Sequence, residues 1–396
     1  MSNALHNDTV WSNKRFTRLF WAHAISLVGT AIGTAAIALL AEDLSQGSGP
    51  RVLGYTLTIR IIVFLFLGPF AGSLSDRIGR KSQMICSDIL RALVMVSLFF
   101  VDAEWQLYFL AFVLHLSSAL FTPIYKAIIP GIVGEKLYPK ALAYGTVAYN
   151  LSDILGMLAG GLLIFYFGFE FGFGVDAVTF FISALLIAVV RFPGSSDKKD
   201  KKDKERTEIF FGIRRMFSVP ELRRSLMLSL QVSIVGGLAI VTTAGYVKNE
   251  LNLEEAFYPI AMSVMGIGAM LAAIFFSRCE ASCQRLWGLM ILPSFIVILA
   301  LVASFQSYYV LLFAWLISGA GQGVFGIISN NLLALNSIEK ERSHIYAAQF
   351  ALSHAGWGIS YPLCGFLASE HSFSVAAWTC LGLMLITMVP MIGRRS

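Results

Sequence analysis

The sequence predicts an all-α membrane protein: twelve transmembrane helices in two six-helix halves, with both termini in the cytoplasm. Three observations carry this expectation. The composition is 57% hydrophobic and only 14% charged, whereas a water-soluble domain is typically about 25% charged. Runs of about 20 apolar residues, long enough to cross the hydrocarbon of a bilayer, recur along the chain. Finally, 25 of the 30 lysines and arginines fall on one side of the membrane once twelve spans are laid out.

In order, the spans lie at roughly 16–41, 52–74, 83–101, 105–132, 141–168, 171–191, 224–247, 256–277, 285–304, 307–334, 344–368 and 372–392. Met1–Asn13 is polar and the apolar run behind it is too long for a signal-peptide core, so no cleavable leader is expected. The segments assigned to the inside hold Lys14, Arg15 and Arg18, then Arg77, Arg80 and Lys81, and later a dense group between Arg191 and Arg224. Only Arg51 and Lys248 fall in outside loops. That asymmetry orients the protein in a bacterial inner membrane. Residues 1–191 are expected as an N-terminal bundle, 192–222 as a charged cytoplasmic linker and 223–396 as a C-terminal bundle.

The linker contains SSDKKDKKDKERTE, a solvated run with no apolar period. Behind it, Arg214 and Arg215 flanked by Phe210, Phe211, Ile213, Met216 and Phe217 suit a short amphipathic helix on the inner leaflet. An offset of 204 residues aligns Glu135-Lys136 with Glu339-Lys340, Ala143 with Ala347, Asn150 with His354, and Gly161 with Gly365. The fifth span therefore corresponds to the eleventh, as parallel repeats require.

Several function classes are excluded. Five cysteines, mostly inside apolar runs, do not make a disulfide framework, and Cys279-x3-Cys283 has no second pair to complete a zinc site. The net charge of +6 comes from loops, which argues against nucleic acid as a partner. No P-loop, H-E-x-x-H or G-x-S-x-G motif is present, so neither an enzyme nor a cofactor is expected.

Between spans 2 and 3 stands Gly72-Ser-Leu-Ser-Asp76-Arg77-Ile-Gly79-Arg80-Lys81. This run resembles the signature of the major facilitator superfamily at every diagnostic position. The glycines permit a tight turn, and the basic residues hold the loop at the inner leaflet. The resemblance implies the major facilitator fold, secondary active transport by alternating access, and a gating role for Gly72, Asp76, Arg77, Gly79, Arg80 and Lys81. Span 5 ends Gly156-Met-Leu-Ala-Gly160-Gly161, similar to the family's antiporter motif except that Met157 replaces a proline.

A finer resemblance covers most of the N-terminal half. Phe20–Leu40, Arg60, Ser87-Asp88-Ile-Leu-Arg91-Ala92, Phe121-Thr122-Pro123-x-x-Lys126-Ala127-x-x-Pro130 and Tyr138-x-x-Ala141 look like one exporter branch. That branch holds enterobactin-type siderophore exporters, macrolide efflux proteins and nickel-resistance-type exporters. It implies a monomer in the lipid bilayer that exports a small molecule or ion, with protons as the coupling ion.

Intramembrane ionisable residues are costly, which makes each a functional candidate. Asp88 and Arg91, three apart on span 3, form either a structural ion pair or part of a coupling site. Asp153, near the middle of span 5, is either a proton carrier or a hydrogen-bonded packing residue. Arg60 is a candidate for attracting an anionic group, Lys126 can snorkel to the headgroups, and Asp176 is read as near outside water. His23, His115 and His354 are packing residues or cavity ligands. His23, Asp153 and His354 together would suit a divalent metal. Asn150, Gln231, Gln322, Asn330, Asn331 and Gln349 are further polar candidates facing a pocket. The favoured substrate is a small amphiphilic organic molecule such as a siderophore or drug. A divalent metal cation, a lysolipid and a non-transporting receptor or scaffold are the alternatives, in that order.

Overall fold

The structure, a computed structural model, describes residues 9–45, 47–67, 70–134, 136–190, 205–276, 281–338 and 341–392. Most of the charged linker run and the repeat match at Glu135 and Glu339-Lys340 lie outside the described residues. Among the described residues every regular element is a helix. The α-helices are α1 (Lys14–Ser45), α2 (Gly49–Leu67), α3 (Ala71–Ile78), α4 (Arg80–Ser97), α5 (Glu104–Val133), α6 (Tyr138–Phe167) and α7 (Glu170–Val189). After the linker come α8 (Glu205–Ser218), α9 (Pro220–Gly245), α10 (Phe257–Phe276), α11 (Ala281–Ser304), α12 (Tyr308–Leu335), α13 (Arg342–Glu370) and α14 (Phe373–Ile392). By length and composition, nine helices among the described residues can cross a membrane. These are α1, α2, α4 to α7, α9, α10 and α12, with α4 and α9 counted together with the short turns that continue them. The protein is a multi-pass membrane protein.

Helix ends differ from the predicted spans by a few residues in either direction: α1 starts two residues early at Lys14, whereas α2 stops at Leu67 instead of 74. At the start of α1, the Asn13 side-chain oxygen accepts from the Arg15 N–H at 3.0 Å, and its amide nitrogen donates to the Ile132 carbonyl at 2.7 Å. That is the usual work of an asparagine at a helix entry.

By compactness the chain forms two units, Met1–Ala36 with Ile62–Asp197 and Ile37–Ile61 with Lys198–Ser396. The expected division at 1–191, 192–222 and 223–396 follows chain order. The compact units instead assign segment 37–61 to the second unit.

In the first unit, α4 turns the soluble-protein rule inside out. Its buried face carries Gln83, Ser87, Asp88 and Arg91, while Ile89, Leu90 and Leu93 are exposed. Lipid tolerates apolar side chains and punishes polar ones, so the polar stripe must turn into the bundle. It meets α7 and α5 there. A separate apolar cluster of Phe16, Phe20, Met84, Phe121, Tyr125 and Ile187 ties α1, α4, α5 and α7 together.

The second unit is built on close backbone approach. A Cβ added at Gly268 of α10 would lie 2.1 Å from the Leu316 carbonyl oxygen, and one at Gly319 of α12 would lie 1.8 Å from that of Met265. Small residues let the two helices touch backbone to backbone, the means by which helices associate in lipid. Trp315, Phe295 and Phe325 fill the core beside this crossing, and Trp315 Nε1 donates to Thr243 Oγ1 at 3.0 Å. Segment 37–61 is held by similar contacts. Gly54 faces the Tyr361 carbonyl, Gly365 faces that of Pro50, and the Arg51 N–H donates to Ser369 Oγ at 3.0 Å.

The expected amphipathic helix forms as α8, but it does not simply lie on a leaflet. Met216 is fully buried, Gly212 sits against the His344 carbonyl, and Arg215 pairs with Glu341 at 3.3 Å. Phe211 and Phe217 remain exposed.

Candidate functional site

A cavity of about 350 Å³ opens within the second unit, between α9, α12 and α13. Ser229, Gln322, Ser329, Asn330, Gln349, Ser353 and Tyr346 bring polar groups to it, while Val232, Phe325, Leu333, Phe350 and Trp357 supply apolar and aromatic walls. No lining residue is charged. Gln349 is 8% exposed and donates through Nε2 to Ser229 Oγ at 2.7 Å. Its Oε1 is buried without a hydrogen-bond partner, so the amide is held in place through Nε2. Trp357 reaches its place because α9 carries Gly236 opposite, where a Cβ would lie 2.2 Å from the indole ring.

The first unit gathers buried charge. Asp88 is fully buried, ion-paired with Arg91, and accepts from Ser183 Oγ of α7 at 2.7 Å. The Arg91 guanidinium lies 4.5 Å from the ring centroids of both Phe121 and Phe180, a cation held between two aromatic faces. Asp176 joins this group. It is 0% exposed, with Arg91 and Asp88 as its electrostatic neighbours, and not near outside water as its sequence position suggested.

The other candidates divide between the units. His23 stacks at 4.1 Å on Tyr125 and 5.9 Å on Phe121, with Nδ1 buried and unpartnered. His115 is half-buried on α5, and Asn150 and Asp153 are exposed on α6. Asp153 therefore does not sit in a bundle interior, as its position along span 5 implied. In the second unit, His354 packs on Phe350 at 3.9 Å between ring centroids, and Nδ1 lies 2.8 Å from the Phe350 carbonyl oxygen. Arg60 is its electrostatic neighbour. Gln231 is fully buried in α9, and Asn331 is exposed on α12, one residue beyond the cavity-lining Asn330. Of the predicted polar set, Gln322, Asn330 and Gln349 are thus brought together. Among the described residues no group of three or more His, Cys, Asp or Glu side chains is placed to hold a metal ion.

The signature run forms α3, a break, and the start of α4. Gly79 has φ +83°, a left-handed conformation that glycine adopts without a Cβ penalty, and its N–H donates to the Ser75 carbonyl at 2.9 Å. Lys81 Nζ donates to the Ala188 carbonyl at the end of α7. Arg77 is exposed and Arg80 half-buried; the surroundings of Gly72 and of the Asp76 side chain lie outside the described residues. On α6, Gly156 meets the Val28 carbonyl and Ala31 of α1, and Gly160 packs near Ile32. The antiporter-like glycines therefore serve close packing of α6 on α1.

Residues 19–278 and 226–395 match the Major Facilitator Superfamily. The chain belongs to that superfamily. Among its relatives, the uncharacterized MFS-type transporter YfiS of Bacillus subtilis is 26% identical over 67% of this chain and 64% of its own length. Macrolide efflux protein A of Streptococcus pyogenes is 27% identical over 49% of this chain and 48% of its own. The chain thus spans less than two thirds of the length of either. The crystal structure of the nucleoside transporter NupG superposes with a TM-score of 0.75, covering 96% of this chain and all of that one at 11% identity. That likeness is one of fold.

Seen as a major facilitator chain, the internal repeat gains a structural counterpart. At the 204-residue offset, Gly156 of α6 corresponds to Ser360 of α13. Gly156 lies on α1, and Ser360 lies on Gly237 of α9, where a Cβ would be 2.4 Å from its hydroxyl. The small residue has changed helix while the close approach is kept. The cavity walls Trp357, Phe325, Phe350 and Tyr346, and the serines between them, were not singled out by sequence. An aromatic residue in an apolar run carries no mark of the face it occupies.

Proposed function

We propose that this chain exports a small amphiphilic organic molecule across a bacterial inner membrane by alternating access, driven by protons. The twelve predicted spans, with both termini cytoplasmic, are the frame of this reading. The cavity carries it: amide and hydroxyl groups set among aromatic walls, with no charged side chain, match a ligand that has both apolar surface and hydrogen-bonding groups. The likeness to a macrolide efflux protein supports the export direction and a drug or siderophore as substrate. Gly79 and the basic residues around it serve as the gating loop, because a left-handed glycine between two helices is a natural hinge. Asp88, in the buried ion network, and Asp153, exposed on α6, are the coupling carboxylates of this reading, and the protein works as a monomer.

Purified protein in inside-out proteoliposomes tests the proposal with a labelled macrolide, a catecholate siderophore and a divalent cation as probes. Accumulation of an organic probe on imposing a pH gradient is the expected result. Accumulation of the cation alone would replace this reading with metal export.

A further inference from the structure

The ion network of the first unit has an unbalanced charge. Asp88, Arg91 and Asp176 are 0%, 6% and 0% exposed. Asp88 is fully served by Arg91 and Ser183. Asp176 is not. The single Thr179 hydroxyl proton goes mainly to the Asp176 backbone carbonyl at 2.8 Å and is only weakly shared with Oδ1 at 3.3 Å, and Oδ2 is buried with no hydrogen-bond partner. Two carboxylates and one guanidinium cannot be neutral together unless one carboxyl carries a proton. A net charge enclosed in a helix bundle costs several kcal/mol.

The place occupied by the spare oxygen is built for it. It lies against α1 at Gly33, where a Cβ would come within 2.5 Å of Oδ2. One turn earlier, a Cβ at Gly29 would lie 1.9 Å from Thr179 Oγ1 and 2.8 Å from Asp176 Oδ1. Both positions must be free of side chains for the carboxyl to sit on the helix backbone. The groups facing Asp176 are few. α4 presents Asp88 and Arg91, α1 presents the two glycines, and α7 itself presents Thr179. His23, further along α1, is an electrostatic neighbour of Arg91 and is stacked on Tyr125. Asp153 of neighbouring α6 is exposed on its own helix.

We propose that Asp176 is a proton-binding site, holding one exchangeable proton on behalf of the Asp88–Arg91–Asp176 cluster. Binding converts the carboxylate to a carboxylic acid and makes the cluster neutral; release returns the proton to water and leaves one net negative charge against α1. The glycine contact ties that change to α1, the helix whose residues are divided between the two compact units. As a proton-binding site, Asp176 stands on the geometry alone; as a further coupling group beside Asp88 and Asp153, it rests on the proton-driven reading above.

Infrared difference spectroscopy of the full chain in lipid nanodiscs, between neutral and alkaline pH where exposed carboxyls stay ionised, reads the proton directly. The expected result is a carbonyl stretch of a protonated carboxylic acid that disappears on alkalinisation. It should be absent in Asp176→Asn, retained in Asp102→Asn at an exposed loop carboxylate, and shifted but present in Thr179→Val. The last variant keeps the acid and removes one hydrogen bond, so it reports even if Asp176→Asn accumulates poorly. A band unchanged in Asp176→Asn and unmoved in Thr179→Val, or no such band in the wild type, would overturn the assignment. A band that behaves as expected, together with export indifferent to a pH gradient, would sustain the site and overturn the proton-driven reading instead.

Discussion

Glu42 accepts a hydrogen bond from Asn249 at 2.9 Å, joining the end of α1 to a residue 207 positions further along the chain. Glu42 is 4% exposed, and Gly49 and Gly245 crowd its carboxyl so closely that a Cβ on either would lie within 2.5 Å of it. Removing one partner of a buried hydrogen bond costs the desolvation of the other. Asn249→Ala should therefore lower stability by about 1–3 kcal/mol, read as a drop in the thermal unfolding midpoint of the purified protein. Glu42→Gln, which preserves shape and an acceptor, should lose less. Equal stability of wild type and Asn249→Ala would show that the contact carries no load.

The glycine crossing of α10 and α12 makes a sharper demand. A side chain at Gly319 meets the Met265 carbonyl at an impossible distance, and neither helix backbone can yield without breaking its own ladder. Gly319→Val should cost about 3 kcal/mol or more and reduce the amount of folded protein recovered from membranes. Gly382→Ala is the matched control, since nothing lies within 4 Å of its Cβ position. A similar loss in both variants would point to a general intolerance of the unit rather than to the crossing.

Arg91 neutralises a region that also holds two carboxylates, so its loss should be worse than the loss of its partner. Arg91→Met is expected to destabilise by about 3–5 kcal/mol, and Asp88→Asn by clearly less. The double variant should recover part of the Arg91→Met deficit, because it removes one of the stranded charges. Chemical or thermal unfolding of the four proteins closes the cycle, and strict additivity would mean that the two side chains do not interact.

At the cavity, Gln349→Leu removes a lining amide that donates to Ser229. Affinity for a transported organic probe should fall about tenfold or more, alongside a drop in unfolding temperature from the lost Ser229 hydrogen bond. Asn331→Leu, one residue outside the lining set, should leave affinity nearly unchanged. The reverse pattern would move the binding site away from α13.

The sequence carried these sites unevenly. Asp88 and Arg91 were legible because three-residue spacing puts two opposite charges on one helix face whatever surrounds them. Gly79 was legible through the resemblance of its run, Gly72 to Lys81, to the family signature. Asp153 and Asp176 were not legible in depth. In a membrane helix the lipid face and the core face are both apolar, so periodicity does not say which way an isolated acid turns. The faces are decided by tertiary partners: α1 offers Asp176 a glycine cradle that sequence proximity does not reveal. Trp357 was hidden for the same reason, since only Gly236, more than a hundred residues earlier, makes room for it.

The assignment of segment 37–61 to the second unit has a consequence for the order in which the protein is made. Ile37–Ile61 leaves the ribosome well before any of its partners between Lys198 and Ser396 exists. During that interval Glu42 has no Asn249, and the backbone beside Gly54 and Pro50 has no α13 to close over it. The early chain must wait in the membrane half-clothed, sheltered by lipid, by the insertion machinery or by its own first-unit neighbours. A gene split within the linker would impose that wait permanently on the amino-terminal fragment, and only co-production of the other piece would end it.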